Sequence, residues 1–523
     1  MNTANLAIML GIQLRTGWKT FVVWLLAVVG TMAITSFSMA DTYDTEAKIV
    51  GYASSIGSGP AIKMMNGEIA GLASLGGITA NEFGFIASFV LPIMGIALVS
   101  RATRREEEAG RLELLLAATI GRHAPLVAAL LWATAVSLLT GVGCWAMMAA
   151  AGIEGSGPGW YGAGLGMLVL VFSAATALVA QVVESNRGVW TISLLLALAS
   201  YLVRGLGAVN DQWYIWLSPH GLLDEIRAFD EPRIWPVLVS GGLALVLSAA
   251  ALLLNARRDL GAALVAARPG RPRAGAVLRA GWGATLYEHR GAILGWTLAG
   301  AALMAIYGSL TSSILDALET NPDLQLYVEA GLASVMAMFM LMAAMVAAAA
   351  GIAMAGALRT AETSGRLELL LAAPRSRTGW LLRHLLVVSL GALLVLVGGG
   401  VVLAASAAAS LGDDRLWSGV MRAVAVQAPV VLAFSGTAVL LFASWPRLRG
   451  WLWAVLGVSL FIAFVGSALR LPAWLVDNSP FMVVGQVPSE PAARAGVAVM
   501  AGIALLTHML APVLFRHRNL PAL

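Results

Sequence analysis

One cysteine, Cys144, in a chain of 523 residues excludes an intrachain disulfide and any metal site built from cysteines. Charge is also scarce: Asp, Glu, Lys and Arg make up 12% of the residues, against about 25% in soluble domains. Hydrophobic residues make up 59%, and mean hydropathy is +0.83. A water-soluble core cannot hide that much apolar surface, so lipid is the expected solvent. No Gly-x-x-x-x-Gly-Lys-Ser/Thr phosphate loop occurs. The nearest glycine-rich stretch, Gly57-Ser58-Gly59-Pro60, lacks the terminal Gly-Lys pair. The chain itself is therefore not expected to bind or hydrolyse ATP, and it is read as a non-enzyme. The six histidines (His123, His220, His289, His384, His508 and His517) show no paired metal spacing. No Ser-His-Asp or paired-carboxylate arrangement is identifiable, so no catalytic or metal residues are assigned. No cleavable signal peptide is expected either: Ser38-Met39-Ala40 only weakly resembles a cleavage site, and the apolar run before it is long for a signal.

What is present is a series of long apolar runs. Twelve spans are predicted, at 21–38, 84–102, 124–151, 160–183, 188–206, 234–254, 291–310, 331–357, 379–409, 421–443, 450–470 and 493–515. Backbone groups in lipid must be satisfied internally, so all are expected to be helices. With the N-terminus, the alternate loops and the C-terminus on one side, that side carries 24 of the 33 Lys and Arg but only 9 of the 28 Asp and Glu. Such asymmetry places the basic side, and both termini, in the cytoplasm. The basic residues are spread over seven segments with no binding fold beside them, so a pI near 9.6 implies contact with anionic lipid and not with nucleic acid. Few ionisable residues fall at mid-span depth. Glu82, Glu329, Arg204, Arg422 and Arg470 lie near one end of a span and His508 lies in the last. The lack of a buried acid chain argues against proton or sodium coupling. The methionines between Met336 and Met345 would suit a lining for hydrophobic cargo.

The chain repeats itself. Gly110-Arg111-Leu112-Glu113-Leu114-Leu115-Leu116-Ala117-Ala118 returns, residue for residue, as Gly365 to Ala373. Leu6, Leu10 and Leu14 reappear as Leu278, Trp282 and Leu286, each trio on one helical face before a span that contains Trp24 or Trp296. Both are read as amphipathic helices lying in the interface. Arg187-Gly188 matches Arg449-Gly450, and Ser218-Pro219 matches Ser479-Pro480. The pattern predicts a first six-helix half over 1–256, an Arg- and Pro-rich linker over 257–275 and a second six-helix half over 276–523. Six is even, so the halves run parallel, related by a pseudo-two-fold axis along the membrane normal.

The repeated segment concentrates charge beside leucines. The first copy carries Glu106, Glu107, Gly110, Arg111, Glu113, Leu114 and Leu115; the second carries Glu362, Gly365, Arg366, Glu368, Leu369 and Leu370. A short helix of this composition between two spans suits a groove on a soluble partner, with leucines giving contact area and charges fixing register. Here the chain resembles the ABC-2 type permeases, whose coupling segment lies between the second and third spans of a six-span unit. It is similar to the fused-half permeases of actinobacterial exporters of tetronasin-like polyketide antibiotics. The first copy departs in having Ala118-Thr119-Ile120 where the second has Ala373-Pro374-Arg375, and in its three consecutive glutamates. The two copies are therefore expected to couple unequally.

The resemblance implies an all-α polytopic type V exporter fold of twelve transmembrane helices. It implies two copies of a separate ABC ATPase subunit that hold the ATP and magnesium, a bacterial cytoplasmic membrane, and export of hydrophobic or amphipathic compounds such as antibiotics. It also implies a re-entrant outer segment before the last span of each half. The aromatic stretches around Trp213, Trp216 and Pro219, and around Trp474, Pro480 and Phe481, are the outer-gate candidates; aromatics at headgroup level also serve as plain anchors. No substrate-binding residues are assigned. An ion-coupled secondary multidrug transporter is the alternative reading.

Overall fold

The computed structural model describes residues 3–519 apart from 57–59, 118, 260, 262, 265–272, 274, 280, 313, 314, 316–330, 373–375, 413–415 and 466–471. The chain divides into two compact units, 1–270 and 271–523, with the boundary inside the Arg- and Pro-rich segment. The first unit contains α1 (Leu6–Thr42), α2 (Leu75–Ala102), α3 (Ala124–Ala150), α4 (Gly157–Val182), α5 (Asn186–Asn210) and α6 (Trp235–Arg257). The second contains α7 (Gly281–Ser309), α8 (Leu332–Thr363), α9 (Arg377–Leu411), α10 (Leu416–Ser444), α11 (Arg449–Val465) and α12 (Arg494–His517). No strand occurs among the described residues. Eleven of the described helices are long and apolar enough to cross a membrane. The remaining predicted span, 450–470, begins as α11, and its last part lies outside the described residues. The protein is a multi-pass membrane protein.

Four of the described helices start where a serine meets a glycine three residues on. Ser74, Ser185, Ser218 and Ser376 each accept a hydrogen bond from the backbone N–H of Gly77, Gly188, Gly221 and Gly379. This satisfies one of the donors that every helix N-terminus leaves open. In the first unit α4 is central, with α2, α3, α5 and α6 packed on it and α1 lying against α3. In the second unit α10 meets α8, α9 and α12, and α7 lies against α9. The outward faces keep large apolar side chains such as Val23, Leu26, Ile34 and Leu245. Lipid removes the cost of that exposure.

One expectation fails here. The stretch holding Leu6, Leu10 and Leu14 is not a separate interfacial helix: it is the first part of a continuous 37-residue α1. No proline or capping residue interrupts it. Two of its leucines have another use: Leu6 and Leu10, like Leu115 and Leu116, pack against a small core of Met9, Ile120, Ala124 and Ala128, while Leu14 stays exposed. Met336, Met340 and Met345 belong to the buried core of the second unit, and Met338 and Met342 pack against that core.

Small residues set the closest helix approach. A Cβ on Gly162 of α4 would sit 2.5 Å from the Gly141 carbonyl oxygen of α3, and the reverse distance is 2.6 Å. Only glycine permits that backbone spacing. Gly162→Leu should therefore lower the thermal midpoint in detergent through overpacking worth about 1–3 kcal/mol. Gly159→Ala, whose Cβ meets only the Trp145 ring at 3.9 Å, should leave the midpoint nearly unchanged.

Candidate functional site

The repeated segment is built from a helix break. In the first unit α2 ends at Ala102, the short helix Arg104–Glu108 follows, and Gly110 turns the chain with φ +69°. In the second unit α8 runs on to Thr363, and Gly365 turns the chain with φ +71°. Each glycine N–H reaches back to the carbonyl of Glu107 or Glu362, at 3.0 and 3.1 Å. A left-handed glycine is the usual way to stop a helix. A second short helix then forms in each copy, Arg111–Ala117 and Arg366–Ala372.

The charges on this segment divide into an inner and an outer set. Glu107 and Glu362 point inward and are buried. Glu107 accepts from Arg104 Nη1 at 3.1 Å, from Arg258 Nη2 at 2.9 Å and from the Gly261 N–H at 2.8 Å. Glu362 accepts from Arg359 Nη1 at 2.7 Å and from Arg518 Nη2. Arg258 and Arg518 each lie just beyond the last helix of their unit, α6 or α12. The same cluster also caps a third helix. Arg104 Nη2 donates to the Ala180 carbonyl near the end of α4 at 2.7 Å, and Arg518 Nη1 donates to the Phe442 carbonyl near the end of α10 at 2.7 Å. In both units, then, a buried carboxylate ties the end of the second long helix to the end of the sixth, and an arginine in the cluster satisfies a C-terminal carbonyl of the fourth. These two clasps were invisible in the sequence, where Glu107 and Glu362 were counted with the partner-facing charges.

The outer set remains on the short helices. Leu112 and Leu367 turn inward and are buried, while Leu114 and Leu369 are 75% and 77% exposed. Glu113 is exposed, and Glu368 is half-buried. Leu115 is partly covered by α1, and Leu370 stays exposed. The arginines are bound differently in the two units. Arg111 makes a two-pronged contact with Glu106 of its own segment, at 2.7 and 2.8 Å. Arg366, with Ala361 at the position of Glu106, reaches Glu288 of α7 at 3.5 Å. Glu108 in addition accepts from the Asn186 N–H at the start of α5 at 2.6 Å, whereas Thr363 occupies its place in the second unit. The expected difference at Ala373-Pro374-Arg375 lies outside the described residues.

At the far ends of the units the gate candidates separate into two kinds. Trp213, Trp216 and Trp474 are exposed, and Trp216 packs edge-on against Trp235 at 5.7 Å. Pro219 opens the short helix Pro219–Glu225. Pro480 begins the corresponding turns, and Phe481 is buried, stacked on Phe434 at 5.2 Å.

Against this geometry the likeness to other proteins can be weighed. A protein-family profile described as "Multidrug efflux system permease Rv1217c, C-terminal domain" matches residues 6–254 and 278–516. The two stretches cover the long helices of both units and leave out the linker. The multidrug efflux system permease protein Rv1217c of Mycobacterium tuberculosis is 30% identical over 490 residues, covering 92% of this chain and 88% of that protein. The chain belongs to the Rv1217c-type multidrug efflux permease family.

In this family member the charged segments are the best-defined repeated feature, but they are not the only buried charge. Arg204, Asp224 and His220 gather at the other end of the first unit; the sequence pointed to Arg204 near a span end and to His220 only as lacking metal spacing, and not to Asp224. A sharper comparison of the two copies could have found them: on the Ser-Pro match, His220 and Asp224 stand where the second half has Phe481 and Gly485.

The turn glycines give a direct check. Gly110→Val and Gly365→Val place a β-branched residue in left-handed backbone, a strain of about 1–3 kcal/mol. Each should lower the thermal midpoint, and Gly→Asn at the same positions should cost less, since asparagine visits that region.

Proposed function

We propose that the chain is the membrane subunit of an ATP-driven exporter of hydrophobic or amphipathic compounds, energised by two copies of a separate ABC-type ATPase. The observation that carries this reading is the pair of short helices with Leu114 and Leu369 held out to solvent. A buried clasp stands directly behind each. An exposed leucine flanked by charges is an unusual surface for a solitary loop and an ordinary one for a partner's groove. The clasp gives such a contact mechanical meaning. A displacement of Arg111–Ala117 or Arg366–Ala372 passes through Glu107 or Glu362 to the ends of the second, fourth and sixth helices and not into a loose loop. Membership of a multidrug efflux permease family supports the drug-exporting part of the reading, and the resemblance to ABC-2 type permeases supports the ATP-driven part.

On this reading the chain's own residues perform no chemistry. ATP and magnesium sit on the partner, whose closure moves the short helices, and the twelve-span, two-repeat chain responds as a whole. Both termini are cytoplasmic, in a bacterial inner membrane. The exposed tryptophans Trp213, Trp216 and Trp474 anchor the opposite ends at headgroup level, and the elements around Pro219, Pro480 and Phe481 form the outer gate.

Charge reversal at both contacts tests the assignment. The Glu113→Arg, Glu368→Arg double variant should still fold, because neither residue takes part in a clasp. Co-purification of the ATPase and drug-stimulated ATP hydrolysis should both fall at least tenfold. Normal assembly and normal coupling in that variant would overturn the reading. Transport that survives without the ATPase and follows an imposed proton gradient would favour the ion-coupled alternative.

A further inference from the structure

The end of the first unit away from its clasp holds a second buried charge cluster. Arg204 of α5 and Asp224 of the short helix Pro219–Glu225 lie 3.8 Å apart, with side chains 1% and 8% exposed. Arg204 also donates to the Met65 carbonyl and, at 3.3 Å, to Ser88 Oγ of α2. His220, one turn before Asp224, bridges Ser200 Oγ at 2.7 Å and the Ser88 carbonyl at 2.9 Å. A recess of about 20 Å³ opens between Asn66, Tyr161, Arg204 and Asp224. That is room for one water molecule. Three buried atoms have no hydrogen-bond partner: Asp224 Oδ2, Arg204 Nε and Asn66 Oδ1. Two acceptors and one donor are what a single water, giving two hydrogen bonds and taking one, would satisfy. The second unit has nothing equivalent among its described residues, since Phe481 and Gly485 replace His220 and Asp224.

We propose that Asp224, with the hydrated recess it shares with Arg204 and Asn66, is a proton-binding site carried by the first unit alone. In the ionised state the carboxylate faces the Arg204 guanidinium at 3.8 Å without a hydrogen bond between Oδ2 and Nε, so the pair only partly offsets the burial of the negative charge. A proton from solvent, relayed by the recess water, adds to a carboxylate oxygen: the water gains one O–H bond from solvent hydronium and gives up another, so it stays neutral, a carboxyl O–H bond forms, and Arg204 loses its counter-charge. The helix Pro219–Glu225 is then retained by the hydrogen bonds of His220 and by packing. The other charged and titratable groups around Asp224 are Glu68 beyond the helix Pro60–Asn66, Tyr161 on α4, and Glu225 and Arg227 beside it. Glu68 is tied to Lys63, Glu225 to Arg233 and Arg227 to Asp230. Asp224 lies outside the membrane-crossing helices, and burial pushes its carboxyl up to about 7 while Arg204 pulls it down. The ordinary value is 3.8, so between these limits the folded chain binds more protons than the unfolded one. Stability from this group is therefore present at low pH and lost as pH rises through the folded value.

The site is independent of any ATPase and can be tested on the purified full chain. Thermal midpoints and infrared difference spectra would be recorded between pH 5 and 8 for the wild type, Asp224→Asn, Asp224→Glu and the double variant Arg204→Gln, Asp224→Asn. In the wild type the midpoint should fall by several degrees across that range, and a protonated-carboxyl band should appear on acidification. Asp224→Asn should lose both, and Asp224→Glu should keep both with a shifted midpoint of titration. If Asp224→Asn fails to fold because it strands Arg204, the double variant, which leaves no unpaired buried cation, carries the comparison. The same pH slope and the same band in a variant lacking the carboxyl would overturn the proposal.

Discussion

A carboxylate buried between arginines at the end of each unit is the constraint on which the rest depends. Removing charge from water is costly, and a buried ion pair holds only when its geometry is good and its remaining lone pairs and protons are satisfied. Glu107 and Glu362 meet that condition through partners drawn from distant parts of the chain. Arg258 lies 151 residues after Glu107, and Arg518 lies 156 after Glu362. Each clasp closes its unit by joining an early helix to the residue after the last. It also fixes the short helix that follows the turn glycine. Without it, the solvent-facing leucines Leu114 and Leu369 would sit on a tether. With it, they sit on the ends of three long helices.

The two units share this device and differ elsewhere. In the first, Arg111 pairs inside its own segment and Glu108 caps α5. In the second, Arg366 reaches across to Glu288 of α7, which also faces His384 at 3.3 Å. The first segment is thus braced against α5, and the second against α7. The far ends diverge further. One is polar, with a small recess beside Asp224, and the other is closed by the Phe434–Phe481 stack. The two halves thus keep the same buried clasp while one far end is charged and the other aromatic. This unevenness follows the different side chains at matched positions: Glu106 against Ala361, Glu108 against Thr363 and Asp224 against Gly485.

Much of the architecture was legible because lipid imposes a simple rule. Runs of about 20 apolar residues must be helical, and the predicted spans coincide with the long helices to within a few residues at many ends. The nine-residue repeat located the charged segments, and its leucines pointed to the exposed surface; the left-handed turns at Gly110 and Gly365 were not expected. What escaped was the direction in which each charge points. A glutamate in the run Glu106-Glu107-Glu108 looks like surface until the arginine that meets it, far along the chain, is known to return to the same place. The amphipathic start of α1 misled for the opposite reason. Leu6 and Leu10 join Leu115 and Leu116 around a small core of Met9, Ile120, Ala124 and Ala128, and the helix continues without a break into the span. The Ser-x-x-Gly helix starts at Ser74, Ser185, Ser218 and Ser376 were readable and went unread.

A double-mutant cycle across the clasp tests the central claim most directly. Thermal unfolding of the full chain would be followed for Glu362→Gln, Arg518→Gln and the pair together, and for Glu107→Gln with Arg258→Gln. Either single change strands a buried charge and should cost about 3–5 kcal/mol. Each double variant should cost clearly less than the sum of its singles, by at least about 1.5 kcal/mol. If the single costs simply add in both units, the clasps do not hold the segments, and the mechanical link from exposed helix to bundle is lost.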